Sequence, residues 1–264
     1  MKIVDTHTHL FVTEFDADRS EAVARARAAG VVRAYMPCID MASLPALLEM
    51  CRTYPDFCFP MIGLHPTELG EHPAALLDEM ESLLRQSSHP FVAVGEVGLD
   101  FYWDESRKEE QIEIFERQIG WARQYDLPLA IHSRKAFDEL YALMDKYRGS
   151  RLRGIFHCFD GTPDEARALL DFPGFYLGIG GVVTYKKSKL PATLKEAVPL
   201  QRLVLETDSP YLPPVPHRGG RNESSYIVDT ASFLASLYGV DVSEVARITC
   251  ENANRLFGYH EAAS

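Results

Sequence analysis

The stretch KIVDTHTH, residues 2–9, is a short apolar run that ends in two histidines. Ile3 and Val4 supply the apolar side chains of a buried strand. His7 and His9 are two residues apart, so on a strand both side chains point the same way. Two imidazoles that face one cavity make half of a metal site. The stretch therefore predicts a strand whose carboxyl end carries metal ligands.

The same arrangement recurs at four further places in the chain. An ionisable side chain follows a short apolar run at Glu96 after residues 91–94, His132 after 128–131, His157 after 154–156 and Asp208 after 203–205. In a parallel β/α barrel the strands supply buried apolar residues, and the residues at their carboxyl ends meet at one mouth, where the chemistry occurs. We therefore expect these groups to converge on one site.

Apolar and amphipathic segments alternate along the whole chain. Strands rich in Val, Ile, Phe and Leu, without strict polar alternation, are predicted at residues 2–6, 31–37, 57–64, 91–97, 128–132, 153–158, 175–180 and 203–207. Helices are predicted near residues 18–29, 43–54, 73–87, 106–125, 135–148, 163–171, 188–198, 224–238 and 243–256. This order predicts an α/β fold, a single (β/α)8 TIM barrel domain over residues 1–264, with parallel strands, outer helices and a metal site at the C-terminal mouth.

The composition limits the class of protein. With 264 residues, of which 46% are hydrophobic, the chain can bury a sizeable core. Five cysteines are an odd number and form no C-x-x-C motif, so neither a disulfide framework nor a zinc ribbon is expected. The opening residues contain Asp5 and two histidines, and no apolar run approaches membrane-spanning length, so we expect neither a secretory signal nor a membrane partner. A cytoplasmic location is predicted.

The six ionisable side chains at the predicted strand ends are best explained as metal ligands. A single histidine at a strand end is more often a hydrogen-bonded structural group. Burying many ionisable groups together costs several kcal/mol each unless they are paired or coordinate a metal. The predicted ligand set is His7, His9, Glu96, His132, His157 and Asp208.

Seven motifs, in order along the chain, carry a family resemblance. They are DTHTH at 5–9, GLHP at 63–66, GEVGLD at 95–100, HSR at 132–134, HCFDG at 157–161, ETDSPYL at 206–212 and NANRLFG at 252–258. Together they resemble the TatD family of metal-dependent hydrolases, within the amidohydrolase superfamily. The resemblance implies a β/α barrel and a divalent-metal hydrolysis, usually described as deoxyribonuclease or 3′-5′ exonuclease action.

The ligand types indicate how two metal ions could share the site. Two ions about 3.5–4 Å apart need a bridging ligand, and a carboxylate can bridge where a neutral imidazole cannot, so Glu96 is the predicted bridge. The resemblance implies that one ion is held by His7, His9 and Asp208, and the other by His132 and His157. Asp208 can touch both metal and water and is the predicted general base. Together with the bridging Glu96, it makes up the predicted pair of catalytic residues.

Four further side chains are predicted to bind substrate: His65, Arg134, Arg218 and Arg221. The loop at 218–224 reads RGGRNES and departs from the family pattern, where a lysine is expected near Gly220 and a proline near Ser224. The net charge of −11 also argues against binding nucleic acid by broad electrostatic attraction. We therefore expect a short or single-stranded end of DNA as the nucleic-acid substrate, rather than a long duplex.

The sequence thus predicts a divalent-metal phosphodiesterase, acting as a 3′-5′ exodeoxyribonuclease on single-stranded ends. An alternative is a metal-dependent ester or amide hydrolase, such as a D-aminoacyl-tRNA deacylase, since an activated hydroxide also attacks carbonyl carbon. A third candidate is a non-catalytic metal-binding barrel. The histidines favour zinc or manganese, whereas phosphoryl transfer often uses magnesium, so the identity of the two ions stays open, as does the oligomeric state.

Overall fold

Eight parallel strands form one sheet, and each pairs with the next strand along the chain. They are β1 (Ile3–Asp5), β2 (Val31–Met36), β3 (Cys58–Ile62), β4 (Ala93–Asp100), β5 (Leu129–Arg134), β6 (Gly154–Phe156), β7 (Phe175–Ile179) and β8 (Leu203–Leu205). This computed structural model describes residues 1–259, so positions 260–264 of the predicted domain lie outside the described residues. The predicted (β/α)8 TIM barrel is confirmed.

Helices on the outside of the sheet join consecutive strands, and two further helices follow the last strand. They are α1 (Arg19–Ala28), α2 (Leu44–Thr53), α3 (Pro73–Leu84), α4 (Lys108–Gln124), α5 (Phe137–Asp145), α6 (Pro163–Leu170), α7 (Leu190–Ala197), α8 (Ile227–Tyr238) and α9 (Val242–Phe257). Helix α4 matches the predicted span 106–125 because its apolar positions recur at helical spacing. None of the described helices combines the length and the apolar character that crossing a lipid bilayer requires.

The carboxyl ends of the strands differ from the predicted boundaries. β4 continues to Asp100, three residues beyond the predicted end, because Leu99 pairs with Ser133 of β5 and Asp100 pairs with Arg134. β6 and β8 end before their predicted boundaries, at Phe156 and Leu205. Soon after each strand one residue adopts a left-handed backbone conformation, with φ values of 48° at Cys158 and 54° at Asp208. Glu96 therefore lies within a strand, whereas Asp208 lies in the turn that follows one.

The barrel closes where β8 meets β1. Thr6 donates its backbone N–H to the Leu205 carbonyl oxygen at 3.0 Å. The buried Asp5 carboxylate accepts a hydrogen bond of 3.0 Å from the Thr207 backbone N–H and one of 2.7 Å from the Thr207 hydroxyl. Asp208 donates its backbone N–H to the His7 carbonyl oxygen at 2.9 Å. The closure thus places His7 beside Asp208, although 201 positions separate them in the sequence.

The amino-terminal end of the barrel is filled. One side chain from each strand packs in an interior cluster with three residues of α9: Val4, Tyr35, Met61, Ala93, Ala130, Ile155, Tyr176, Val204, Cys250, Ala253 and Leu256. Asn252 of α9 donates its side-chain amide to the Gln201 and Leu203 carbonyl oxygens, at the start of β8. Helix α9 therefore covers this end, and the opposite mouth is left to hold polar groups.

Two buried glutamines of α4 fasten the chain at the mouth. Gln118 accepts a hydrogen bond from the Leu64 N–H at 2.8 Å and donates to the Leu64 carbonyl oxygen at 3.2 Å. Gln111 makes the same pair of bonds with Asp100, at 2.8 and 2.9 Å. A side-chain amide can replace a neighbouring strand in this way because it carries both a donor and an acceptor. The chain just before His65 is therefore held by α4.

We expect Gln118→Met to lower the free energy of unfolding, because it keeps the side-chain volume but leaves the Leu64 N–H and carbonyl unpaired. A buried unpaired polar group costs about 1–3 kcal/mol, and urea unfolding followed by circular dichroism measures the loss. The matched control is Gln124→Met, an exposed position on the same helix, where a change within about 0.5 kcal/mol is expected. Equal stability of both variants would contradict the role given to Gln118.

Candidate metal centre

Glu96 lies at the centre of a cluster of histidines, and its two carboxylate oxygens face different members. Oε2 is 3.3 Å from His7 Nε2 and 3.8 Å from His9 Nε2. Oε1 is 3.1 Å from His132 Nδ1 and 3.8 Å from His157 Nε2. The carboxylate thus divides the histidines into two groups, and each group has its own oxygen.

Asp208 lies across the cluster from Glu96. Its Oδ1 is 3.4 Å from His9 Nε2, 3.7 Å from His157 Nε2 and 3.8 Å from His7 Nε2. The structure therefore brings all six predicted metal ligands together, from β1, β4, β5, β6 and β8 or the turns that follow them. Ligand atoms of His7, His9 and Glu96 lie within 4.8 Å of one another, as do those of His65, Glu96 and His132.

The two carboxylates hold their charge despite burial. Burial acts to raise the pKa of Glu96, but the neighbouring imidazoles of His65, His7 and His132 outweigh it and hold the pKa well below its usual value. Burial likewise acts to raise the pKa of Asp208, and the charge on His157 outweighs it, so this pKa is also lowered. The mouth therefore presents two anionic groups in a buried setting, which requires positive charge nearby.

Two imidazoles supply that positive charge when no other cation is bound. Burial acts to lower the pKa of His157, but the Glu206 and Asp208 carboxylates outweigh it and raise the pKa to about 10. Burial has the same effect on His132, and hydrogen bonds to Asp100 and Glu96 raise its pKa to about 9. With these raised pKa values, both imidazoles favour the protonated form at neutral pH when no metal is bound.

The donor set fits divalent metal ions. Both ring nitrogens of His7 are buried without a hydrogen-bond partner, and a buried polar atom left in this state is costly. A cation between His7 Nε2 and the Glu96 carboxylate would satisfy both groups. Imidazole nitrogens combined with carboxylate oxygens are typical ligands of zinc and manganese. The residues at the mouth can therefore hold metal, as predicted from the spacing of the histidines.

Two further carboxylates orient the candidate ligands. Glu206, which is fully buried, lies 3.0 Å from His157 Nδ1 and accepts a hydrogen bond of 2.6 Å from the Cys158 backbone N–H. Asp100 Oδ2 is 2.9 Å from His132 Nε2. A carboxylate on the far nitrogen of a ligating histidine fixes its tautomer and ring orientation. Gly178 makes room for Glu206, since a Cβ there would lie 2.2 Å from Glu206 Oε2.

Sequence reasoning did not select Glu206 as a site residue. It stands two residues before Asp208, directly after β8, so it occupies the same alternating pattern as His7 and His9. An E-x-D pair at a strand end could have been treated like the H-x-H pair. The buried glutamines of α4 carried a weaker signal, namely polar residues seven positions apart on an otherwise apolar helix face.

His65, predicted to bind substrate, lies in the metal cluster itself. Its Nε2 is 3.4 Å from Glu96 Oε1, and its ring lies 4.6 Å from that of His132. The other ring nitrogen, Nδ1, is 2.7 Å from the Thr67 hydroxyl, which holds the ring in place. His65 is thus positioned to contact either an ion or a substrate oxygen beside Glu96.

The three predicted substrate-binding arginines differ in their surroundings. Arg134 is exposed at the end of β5, and its guanidinium lies 3.8 Å from the centre of the Tyr102 ring. Arg218 is exposed and lies 4.0 Å from the centre of the Tyr185 ring. Arg221 instead makes two hydrogen bonds to the Asp18 carboxylate, of 2.6 and 2.8 Å. Its guanidinium is already engaged, and its binding to substrate stays a prediction.

We expect the affinity of the protein for Mn²⁺ to rise with pH between about pH 6 and 9. His132 and His157 carry protons below their raised pKa values, and a ligating nitrogen must be free of its proton. Affinity should change by about tenfold per pH unit for each proton released. Calorimetry in buffers of different ionisation enthalpy measures that release.

The control for proton release is His217→Gln. His217 pairs with Asp229 at 3.0 Å, outside the cluster, so the variant should release the same number of protons as the parent when Mn²⁺ binds. An Mn²⁺ affinity that does not vary across this pH range would contradict the assignment of His132 and His157 as ligands.

Comparison with known proteins agrees with the geometry of the site. The model of the family described as TatD related DNase matches residues 4–258. The uncharacterized metal-dependent hydrolase YabD of Bacillus subtilis is 38% identical over 259 residues, covering 97% of this chain and 98% of that protein. The 3′-5′ ssDNA/RNA exonuclease TatD of Edwardsiella piscicida is 34% identical over 261 residues, covering 97% and 99%.

A solved structure shows the same fold. The crystal structure of YjjV, a TatD homologue from Escherichia coli K12, matches with a TM-score of 0.89 and 30% identity over 98% of each chain. The histidine and carboxylate cluster therefore occurs in a chain that matches, over nearly its whole length, one relative named a metal-dependent hydrolase and another named a 3′-5′ ssDNA/RNA exonuclease. This protein belongs to the TatD family of metal-dependent hydrolases.

Proposed function

We propose that the protein is a two-metal phosphodiesterase that removes nucleotides from the 3′ end of single-stranded DNA. The observation that carries the proposal is the division of the histidines by Glu96, with His7 and His9 at one oxygen and His132 and His157 at the other. Such a division is what a bridging carboxylate between two ions requires. Relatives named 3′-5′ ssDNA/RNA exonuclease support the choice of substrate.

The residues at the mouth would divide the work of hydrolysis. Divalent ions, when bound by the six ligands, lower the pKa of water and place positive charge beside phosphoryl oxygens. Asp208 stays ionised because its pKa is lowered, so its carboxylate can orient a water molecule and take its proton. His65, which lies beside Glu96, and Arg134, at the end of β5, would bind the phosphate.

The charge distribution favours an end of a single strand over a duplex. The protein carries a formal net charge of −11, which argues against broad attraction to a long polyanion. Substrate must instead be held by a few local cations, of which Arg134 and Arg218 are exposed. A chain end can enter a barrel mouth more easily than a duplex, which supports exonuclease action.

A second candidate is hydrolysis of an ester or amide, as in a D-aminoacyl-tRNA deacylase. A cavity of about 670 Å³ adjoins His157, and its lining includes Phe137, Phe159 and Leu169. A largely apolar cavity beside the metal centre could hold the side chain of an acyl group. Cleavage of an aminoacyl ester, with no cleavage of oligonucleotides under the same metal conditions, would favour this candidate.

We expect Asp208→Asn to lower kcat by about 10²–10⁴-fold on a single-stranded oligonucleotide, with a smaller change in KM. The amide keeps the shape and can still offer an oxygen to a metal, but it cannot take a proton from water. Metal content by elemental analysis should remain, and Asp138→Asn, an exposed change on α5, is the matched control. Full kcat with full metal content would refute a general base at Asp208.

We expect Glu96→Gln to lose at least one of two bound metal ions, because the neutral amide removes the anionic charge that both share. The measurement is the number of Mn²⁺ or Zn²⁺ ions per chain after dialysis, with activity on the same oligonucleotide measured in parallel. Unchanged metal content and turnover would show that Glu96 does not bridge.

A further inference from the structure

An exposed aromatic pair stands at the mouth of the barrel. Tyr102 is 46% exposed and Trp103 is 68% exposed, and both lie in the turn that follows β4, after Phe101. Their rings meet edge to face, with centres 5.0 Å apart. The exposed part of each ring adds no burial to the fold and is available for binding.

The turn that carries the two rings is fastened to the metal centre. Asp100 Oδ1 accepts hydrogen bonds from the backbone N–H groups of Tyr102, at 2.9 Å, and Trp103, at 3.2 Å. Its other oxygen, Oδ2, lies 2.9 Å from His132 Nε2. One carboxylate therefore positions both a candidate metal ligand and the aromatic turn, and the rings stand at a set distance from the cluster.

Two cations lie among the rings. The Arg134 guanidinium is 3.8 Å from the Tyr102 ring centre and 5.5 Å from that of Trp103. Lys135 Nζ is 5.1 Å from the Tyr102 ring centre. Within residues 1–259, neither Arg134 nor Lys135 forms an ion pair with a carboxylate. Their charge is available to an anionic ligand.

A similar arginine and tyrosine pair at the other end of the barrel has a structural role. The Arg33 guanidinium lies 3.7 Å from the Tyr259 ring centre, but Arg33 is only 4% exposed and hydrogen-bonds to Asn254 of α9. Tyr259 itself is 39% exposed, but its arginine is buried and held by α9. In the pair at the mouth the arginine is exposed as well as the tyrosine, so its arrangement needs another explanation.

We propose that Tyr102, Trp103, Arg134 and Lys135 form a subsite that stacks an unpaired nucleobase and binds the adjoining phosphate. Proteins that bind single strands combine aromatic faces for the bases with cations along the backbone, and this cluster has both. The proposal rests on the proposed function, because it takes a nucleic-acid chain as the ligand. Bases in a duplex are already stacked and paired, so the subsite selects single strands.

The first test observes Trp103 directly. The chain has two tryptophans, so the variant Trp121→Phe, at a position that is only 2% exposed, leaves Trp103 as the sole tryptophan. We expect a phosphorothioate oligothymidylate, which resists cleavage with Mg²⁺, to quench Trp103 emission in the Mg²⁺-loaded protein. An abasic oligomer of equal length and charge should not quench it. Equal quenching by both oligomers would overturn the proposal.

The second test measures binding of the same labelled oligomer by fluorescence anisotropy, without relying on Trp121→Phe. Trp103→Leu should raise Kd by about 5- to 150-fold, the range expected for one base stacked on an aromatic ring, and Trp103→Phe should restore much of the binding. Tyr259→Leu, at the filled end, is the matched control and should leave Kd unchanged. Parental Kd in both Trp103→Leu and Tyr102→Leu would overturn the proposal.

These tests separate the subsite from the proposed hydrolysis, because neither requires cleavage. Base-dependent quenching and a weakened Trp103→Leu variant, in a protein that does not hydrolyse oligonucleotides, would support the subsite and contradict the exonuclease. Cleavage of oligonucleotides with the same KM in Trp103→Leu as in the parent would support the exonuclease and contradict the subsite.

Discussion

The carboxylate of Glu96 is the group on which the rest of the site depends. It is a buried anion in the middle of β4, within 4 Å of five imidazoles. An unpaired charge at this depth would cost several kcal/mol, so the site requires positive charge close to both oxygens. Either protonated histidines or metal ions can supply it, and the family to which the chain belongs is one of metal-dependent hydrolases. The metal ions on which the family depends would thus also supply the positive charge that this buried carboxylate requires.

The two ends of the barrel differ: α9 and an apolar layer close one end, and the polar groups lie at the other. An interior layer from all eight strands packs against α9, whereas the mouth holds the histidines and carboxylates. The seam between β1 and β8 completes the ring and joins His7 to Asp208 through a backbone hydrogen bond. Stability at one end and chemistry at the other are therefore carried by the same strands, as in other TIM barrels.

A second layer of contacts links the metal centre to the surface. Glu206 and Asp100 each hold the far nitrogen of a candidate ligand, and Asp100 also holds the turn that bears Tyr102 and Trp103. Gln111 of α4 in turn binds the backbone of Asp100. A chain of hydrogen bonds thus runs from an outer helix to the cluster and to the exposed rings. Such support holds the candidate ligands, and the turn that bears the exposed rings, in a definite geometry.

The sequence by itself determined the class of fold, the order of strands and helices, and the identity of the six candidate ligands. It could do so because apolar periodicity and residue spacing are local properties, as the H-x-H pair at His7 and His9 illustrates. Only the tertiary structure decided that Glu96 presents its two oxygens to separate histidines, that Glu206 orients His157, and that Arg221 is engaged by Asp18. Those relations join residues up to about two hundred positions apart. They depend on barrel closure and side-chain rotamers, and no local pattern in the chain encodes either.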